Sequence, residues 1–171
     1  TLLISYMGVQ AQITITDADL TGGNTYNWTA NNVYLLDGTV YLEAGATLNI
    51  EAGTVIKGKA KNPGEAPSAL IISRGATINA TGTAQDPIIF TAENDNLTGN
   101  LDETNRGLWG GVAILGYGRA SKAGADSFQV EGIAGAEPRA LMGGYNNADN
   151  SGTLRYVSIR YAGFEIGPGD E

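Results

Sequence analysis

Between positions 147 and 152 the chain reads Asn-Ala-Asp-Asn-Ser-Gly, which places oxygen-bearing side chains at Asn147, Asp149 and Ser151 and closes on Gly152. Alternate oxygen donors followed by a glycine suit a loop that wraps a hard cation, because the glycine permits the sharp bend. Ca²⁺ is the cation that such ligands select. In a helix-flanked calcium loop starting at Asn147, the twelfth position should be a bidentate glutamate; here it is Ser158. That version is excluded, and further ligands would have to come from another part of the fold. The same residues also make an ordinary turn, since Asn, Asp, Ser and Gly all favour turn backbone. The spacing leaves both readings open. Asn94-Asp95-Asn96, with Asp102 and Glu103, is a weaker cluster of the same kind.

Composition excludes much other chemistry. The 171 residues include no Cys and no His. Thiol chemistry, disulfides, Ser-His-Asp triads and His-ligated zinc are therefore ruled out. Any catalysis would rest on carboxylates, Lys, Arg, Tyr or hydroxyls. Ten basic residues against 18 acidic ones give a net charge of −8, which argues against a nucleic-acid partner. The length is that of one domain able to bury a core. Charged residues are only 16%, and the 25 glycines are about twice the usual share. Few charges and many glycines suit short strands and tight turns better than amphipathic helices.

A repeat shows which elements position these residues. Gly-Ala-Thr-Leu-Asn-Ile at 45–50 returns as Gly-Ala-Thr-Ile-Asn-Ala at 75–80, and Val40-Tyr41-Leu42 lies 30 residues before Leu70-Ile71-Ile72. Glu43-Ala44-Gly45 also echoes as Glu51-Ala52-Gly53. Short apolar runs closed by glycine and repeating at one coil's length mark a solenoid of β-strands. Val40–Leu42, Leu48–Ile50 and Val55–Lys57 make one triangular coil, and Leu70–Ser73, Thr77–Ala80 and Ile88–Thr91 the next. Polar stretches at 59–68 and 92–107 are loop insertions, which solenoids tolerate at their corners. The run from Leu108 to Gly116 begins a third coil, 116–150 is a longer loop, and Leu154–Gly163 alternates as a single strand beginning a fourth. Val157, 45 residues after Val112, is expected to stack on it.

Alternation assigns the faces. Leu48 and Ile50 point inward, so Asn49 points outward, with Asn79 one coil above it. The pair forms either a hydrogen-bonded ladder or two solvated outer positions. The same register puts Tyr41, Ile71, Ala113 and Ser158 on one outer stripe without acidic side chains.

The ends differ from the middle. Residues 1–11 end in Val9-Gln10-Ala11, with small residues at −3 and −1 of a cleavage after Ala11, and are expected to be the remnant of a secretory signal peptide. The other reading is a first core strand. Residues 12–32 are expected to cap the solenoid, with Trp28 as a plug. The solenoid proper spans 33–171, and the uncapped Tyr156–Tyr161 edge implies either that the natural chain continues or that copies associate end to end. No segment is long and apolar enough to span a membrane.

Trp109–Gly116, Val130–Ile133, Gly143–Leu154 and Tyr156–Gly163 together resemble the secreted right-handed parallel β-helix proteins of Bacteroidota, which have the pectin-lyase-like fold. Gly82–Thr91 resembles a coil motif common across β-helix proteins, and the likeness spans about residues 33–166. It implies an all-β, right-handed parallel β-helix of about three to four coils, exported or held at the cell surface. Many relatives carry a C-terminal sorting domain, which would lie beyond residue 171 in a chain expected to continue. The function implied is a structural, adhesive or glycan-binding module whose partners are polysaccharide or cell-surface components. The alternative is a polysaccharide lyase or glycoside hydrolase on the same fold, and fold alone does not choose. A hydrolase needs converging carboxylates, while a lyase of this fold needs calcium-binding acids and a basic residue. Arg155 and Arg160 are the basic residues on the last strand, with Arg160 either a base beside Ser158 or a solvated face residue. Trp109, Tyr41, Tyr156 and Tyr161 are aromatics that either stack on sugar or pack, packing being the expectation for Trp109. Asn27-Trp28-Thr29 and Asn96-Leu97-Thr98 match glycosylation sequons, which the resemblance to bacterial proteins implies are accidental.

Overall fold

A computed structural model describes residues 10–62, 64–121, 126–133 and 136–163. Most of the apolar run read as a signal remnant (1–9) and the acidic end (164–171) lie outside the described residues. Within them, Ala11 already belongs to a strand.

The chain winds through three sides in turn. β1 (Ala11–Ile15) and β2 (Thr25–Trp28) form the first coil. β3 (Asn32–Leu36), β4 (Thr39–Leu42) and β5 (Thr47–Ile50) form the second. β6 (Val55–Gly58), β7 (Ala69–Ile72) and β8 (Thr77–Thr81) form the third. β9 (Ile88–Ala92) and β10 (Gly111–Ile114) open the fourth. After the short strands β11 (Phe128–Gln129) and β12 (Leu141–Met142), separated by a 3₁₀ turn at Pro138–Ala140, β13 (Gly152–Arg155) completes that coil. β14 (Val157–Ile159) opens a fifth. Strands β1-β3-β6-β9-β14 form a five-stranded sheet, β2-β5-β8-β13 a four-stranded one and β4-β7-β10 a three-stranded one. Every pairing in these three sheets is parallel. The fold is a right-handed parallel β-helix.

The expected register holds: Leu48 pairs with Ile78 and Asn49 with Asn79. Leu42, Leu48, Ile56, Leu70, Ile72 and Ile78 fill the interior at 1% exposure or less. Residues 12–32, expected as a cap, are built as a coil lacking its third strand. The cause is visible in Ile13-Ile15 and Tyr26-Trp28, which alternate with the strand period and pair with β3 and β5. Trp28 is a core residue stacked on Tyr34, with ring centroids 4.6 Å apart. Where the third strand is missing, the Leu20 carbonyl and the Asp17 carboxylate accept the backbone N–H groups of Glu43 and Tyr41.

The single strand expected at 154–163 is two strands on different sheets. Tyr156 adopts φ +48° and turns the chain, so β13 pairs with β8 and β14 with β9. Val157 therefore stacks on Ile88, not Val112, and Ser158 stacks on Ile89 rather than continuing the stripe of Tyr41, Ile71 and Ala113. A left-handed tyrosine has no period-two signature, which is why alternation read straight through it.

Candidate functional site

The third side of the helix is overlaid from outside. Tyr41, Ile71 and Ala113 do point outward, yet Tyr41 and Ile71 are buried beneath the 115–150 loop in a second small core with Leu115, Ala140, Val130, Ile133 and Met142. Arg139 holds the loop down. Its guanidinium lies 4.2 Å from the Tyr41 ring centroid and donates to both Asp17 oxygens (3.0 and 2.9 Å) and to Glu137 (2.9 Å). Glu43 adds a contact at 3.5 Å. Arg139 keeps the Glu137 carboxyl below its usual range, and burial raises the Tyr41 hydroxyl. Tyr41 is therefore covered, not a platform for sugar. The outer stripe looked bland in sequence because it is the floor of this second core.

The loop ends are zipped together at the next corner, where the 147–151 residues lie. Asp149 Oδ2 accepts the Tyr117 backbone N–H (2.9 Å) and lies 3.5 Å from the Ser151 hydroxyl, while Asn147 Oδ1 accepts the Arg119 N–H (3.0 Å). Ser151 donates to the Leu115 carbonyl. All three expected calcium ligands thus meet at one corner. They bind the 116–119 segment to the 146–152 segment, with the Asn146 N–H donating to Tyr117 O (3.0 Å). Gly116 permits the approach, since a Cβ there would lie 2.7 Å from Asp149 Oδ2.

This zipper presents two tyrosines that sequence reasoning missed. Tyr117 is 38% exposed and Tyr145 68%. Arg74 sits 5.0 Å from the Tyr117 ring centroid and donates to the Gly143 carbonyl, and Arg119 sits 5.8 Å from that of Tyr145. The Tyr145 hydroxyl meets the Asp126 carboxylate. Among the described residues, neither arginine forms a salt bridge, although acidic residues outnumber basic ones 18 to 10. The only sequence signal was four residues of two types, 43 positions apart for Arg74 and Tyr117 and 26 for Arg119 and Tyr145, which no periodicity joins.

The other residues singled out from sequence are spread over the molecule. Asp95, in the weaker acidic cluster, is 2% exposed, and its oxygens accept the Thr91 hydroxyl (2.6 Å) and the Leu97 N–H (2.8 Å). Lys57 donates to the Asp95 carbonyl (2.6 Å), and Arg160 lies 3.9 Å from the carboxylate while donating to Ser158 (3.0 Å). This group pins the 92–107 loop across the outer face of the five-stranded sheet. Asp102 is occupied locally, accepting the Thr104 N–H at 2.8 Å. Trp109 is buried in the main core, and Tyr161 packs against that core while donating to Leu101 O. Tyr156 is exposed beside Arg155, its ring centroid 5.9 Å from the guanidinium. Among the described residues, no three Asp or Glu side chains gather as a metal site would require.

The family model of the pectate-lyase-like beta helix domain matches residues 20–171, nearly the whole chain. The chain belongs to this family. No curated protein and no solved structure matches it. Membership in the pectate-lyase-like beta-helix family accounts for the stacked parallel sheets and leaves the chemistry to the loops. No helix among the described residues is long and apolar enough to cross a membrane.

Proposed function

We propose that this β-helix is a non-catalytic, exported module that binds glycan at the arginine–tyrosine corner. The carrying observation is that Tyr117 and Tyr145 are exposed, each beside an arginine that forms no salt bridge among the described residues. Tyrosine rings bury large area at little entropic cost, and guanidinium forks donate to sugar oxygens. Export rests on the apolar run ending at Ala11 and on the resemblance to secreted β-helix proteins. The lyase or hydrolase reading has the fold in its favour. Against it, the carboxylate buried on the five-stranded face, Asp95, already holds a loop in place. In affinity electrophoresis against a panel of soluble polysaccharides, one should retard the protein, and Tyr145→Ala or Arg119→Gln should weaken the retardation about tenfold. Unchanged retardation in both variants would move the site elsewhere. Release of new reducing ends or unsaturated sugars by the wild type would make it an enzyme.

Calcium at Asn147, Asp149 and Ser151 is proposed as a brace for the same corner, since Asp149 and Ser151 present oxygens 3.5 Å apart there and Asn147 binds the same 116–119 segment. A bound ion would stabilise the native state by mass action. The melting temperature should fall when EDTA is added, and Asp149→Ala should abolish that difference while lowering the baseline through the lost Tyr117 bond. A melting curve indifferent to chelator leaves these residues as a protein-only zipper.

A further inference from the structure

The sequence Thr-X-Asn occurs at 25–27, 47–49 and 77–79, and the fold puts all three copies in register on the outer face of the four-stranded sheet. Thr25, Thr47 and Thr77 form one row, and Asn27, Asn49 and Asn79 form a second row that Thr153 continues on β13. The asparagines are tied together: Asn79 Nδ2 donates to Asn49 Oδ1 and Asn49 Nδ2 to Asn27 Oδ1, each at 3.0 Å. Each ladder bond uses one of two amide N–H groups and one acceptor site, so the amides retain capacity toward solvent. These seven side chains are exposed or half-buried and uncharged, in a chain of net charge −8, and the charge on the same face, Arg155, stands at the margin of the array in register with Thr81. The other two outer faces differ. The three-stranded one is roofed by the 115–150 loop, and the five-stranded one carries Lys57, Asp95 and Arg160 under the 92–107 loop.

This face is pre-ordered in two dimensions. Rows repeat every coil, about 4.8 Å, and within a strand Thr and Asn lie about 6.6 Å apart. The first repeat is near the oxygen repeat of hexagonal ice along its a axis, and the second approaches that along c. Threonine is stiff at χ1, and the asparagine amides are fixed by their ladder, so little freedom is lost on binding. We propose that this face binds an ice surface through a layer of water ordered on its hydroxyls, methyls and amides. An array whose own seven residues carry no charge fits an uncharged lattice, because a charged side chain within it would impose its own hydration on the contact. A sugar polymer is the less suited occupant, since the seven residues include no aromatic ring on which to stack.

The full chain is tested by growing ice slowly from dilute solution and measuring the protein taken into it. The wild type should be enriched severalfold over a size-matched control protein and should facet growing crystals. Asn49→Lys places a charge at the centre of the array and should bring uptake down to the control, with an unchanged circular dichroism spectrum. Thr25→Lys, on the edge strand β2, repeats the test without removing a ladder bond, should Asn49→Lys fold poorly. Exclusion of the wild type from ice overturns the proposal, as does equal uptake of the folded variants. Retention on microcrystalline uncharged polysaccharide without ice uptake overturns it too, and identifies a polymer as the occupant. Glycan binding at Tyr145 is measured separately and stands or falls independently of this result.

Discussion

Trp109→Ala is expected to cost about 3–5 kcal/mol in unfolding free energy, measured by urea denaturation. Trp109 is 1% exposed and fills the interior directly over Gly58. Gly58 occupies an inward position in register with Leu36 and Ala92, where its missing side chain leaves the space that the indole takes. A Cβ at Gly58 would lie 2.6 Å from the Trp109 Cβ, and Gly58 itself has no side chain to fill the hole left by the indole. Truncation also orphans the Arg160 carbonyl, which accepts the indole N–H at 2.8 Å. That bond joins the segment after the 92–107 loop to the residue following β14, so amide protection of Ser158 and Ile159 should fall more than that of β5. A loss below about 1 kcal/mol would show that the core around Gly58 repacks freely.

Gly152→Ala should be comparably severe for a different reason. Gly152 has φ +123°, and a Cβ there would lie 1.8 Å from the Ile78 carbonyl oxygen. That atom is backbone in the middle of β8, so the contact cannot be relieved by a side-chain rotation. β13 must then move off β8, giving up the Ile78 N–H to Ser151 O bond of 2.9 Å. The cost should exceed the roughly 3 kcal/mol that bounds most single substitutions. Hydrogen exchange should localise it to Thr77–Thr81 and Gly152–Arg155. Since the 147–151 zipper adjoins this strand, Gly152→Ala should also weaken glycan retention, whereas Trp109→Ala, read well below its melting temperature, should spare it. Normal protection of β13 in Gly152→Ala would mean that the chain tolerates a bulge there.

The main coils were legible because they are local. Leu48-Asn49-Ile50 and Ile78-Asn79-Ala80 carry their own period of two, and a 30-residue repeat says which strand lies over which. Where the signal failed, backbone conformation or a long loop had intervened. Tyr156 at φ +48° splits an alternating run without altering its pattern, so β13 was hidden within β14's strand. Gly152 gave a hint of that turn, but a glycine ahead of a strand serves equally as a loop end.

What the sequence determined by itself is the β-helix, its interior, and the outward placing of Asn49 and Asn79, because each follows from the alternation of neighbouring residues and from repeats. Tertiary structure decided what the outer faces are for. Nothing local says that the Tyr41–Ile71 stripe is roofed, that Arg139 reaches Asp17 122 residues away, or that Arg74 meets Tyr117 while its guanidinium binds Gly143. These contacts depend on where a loop of some 35 residues lands, and that is set by packing against sheets whose strands lie far apart in the chain.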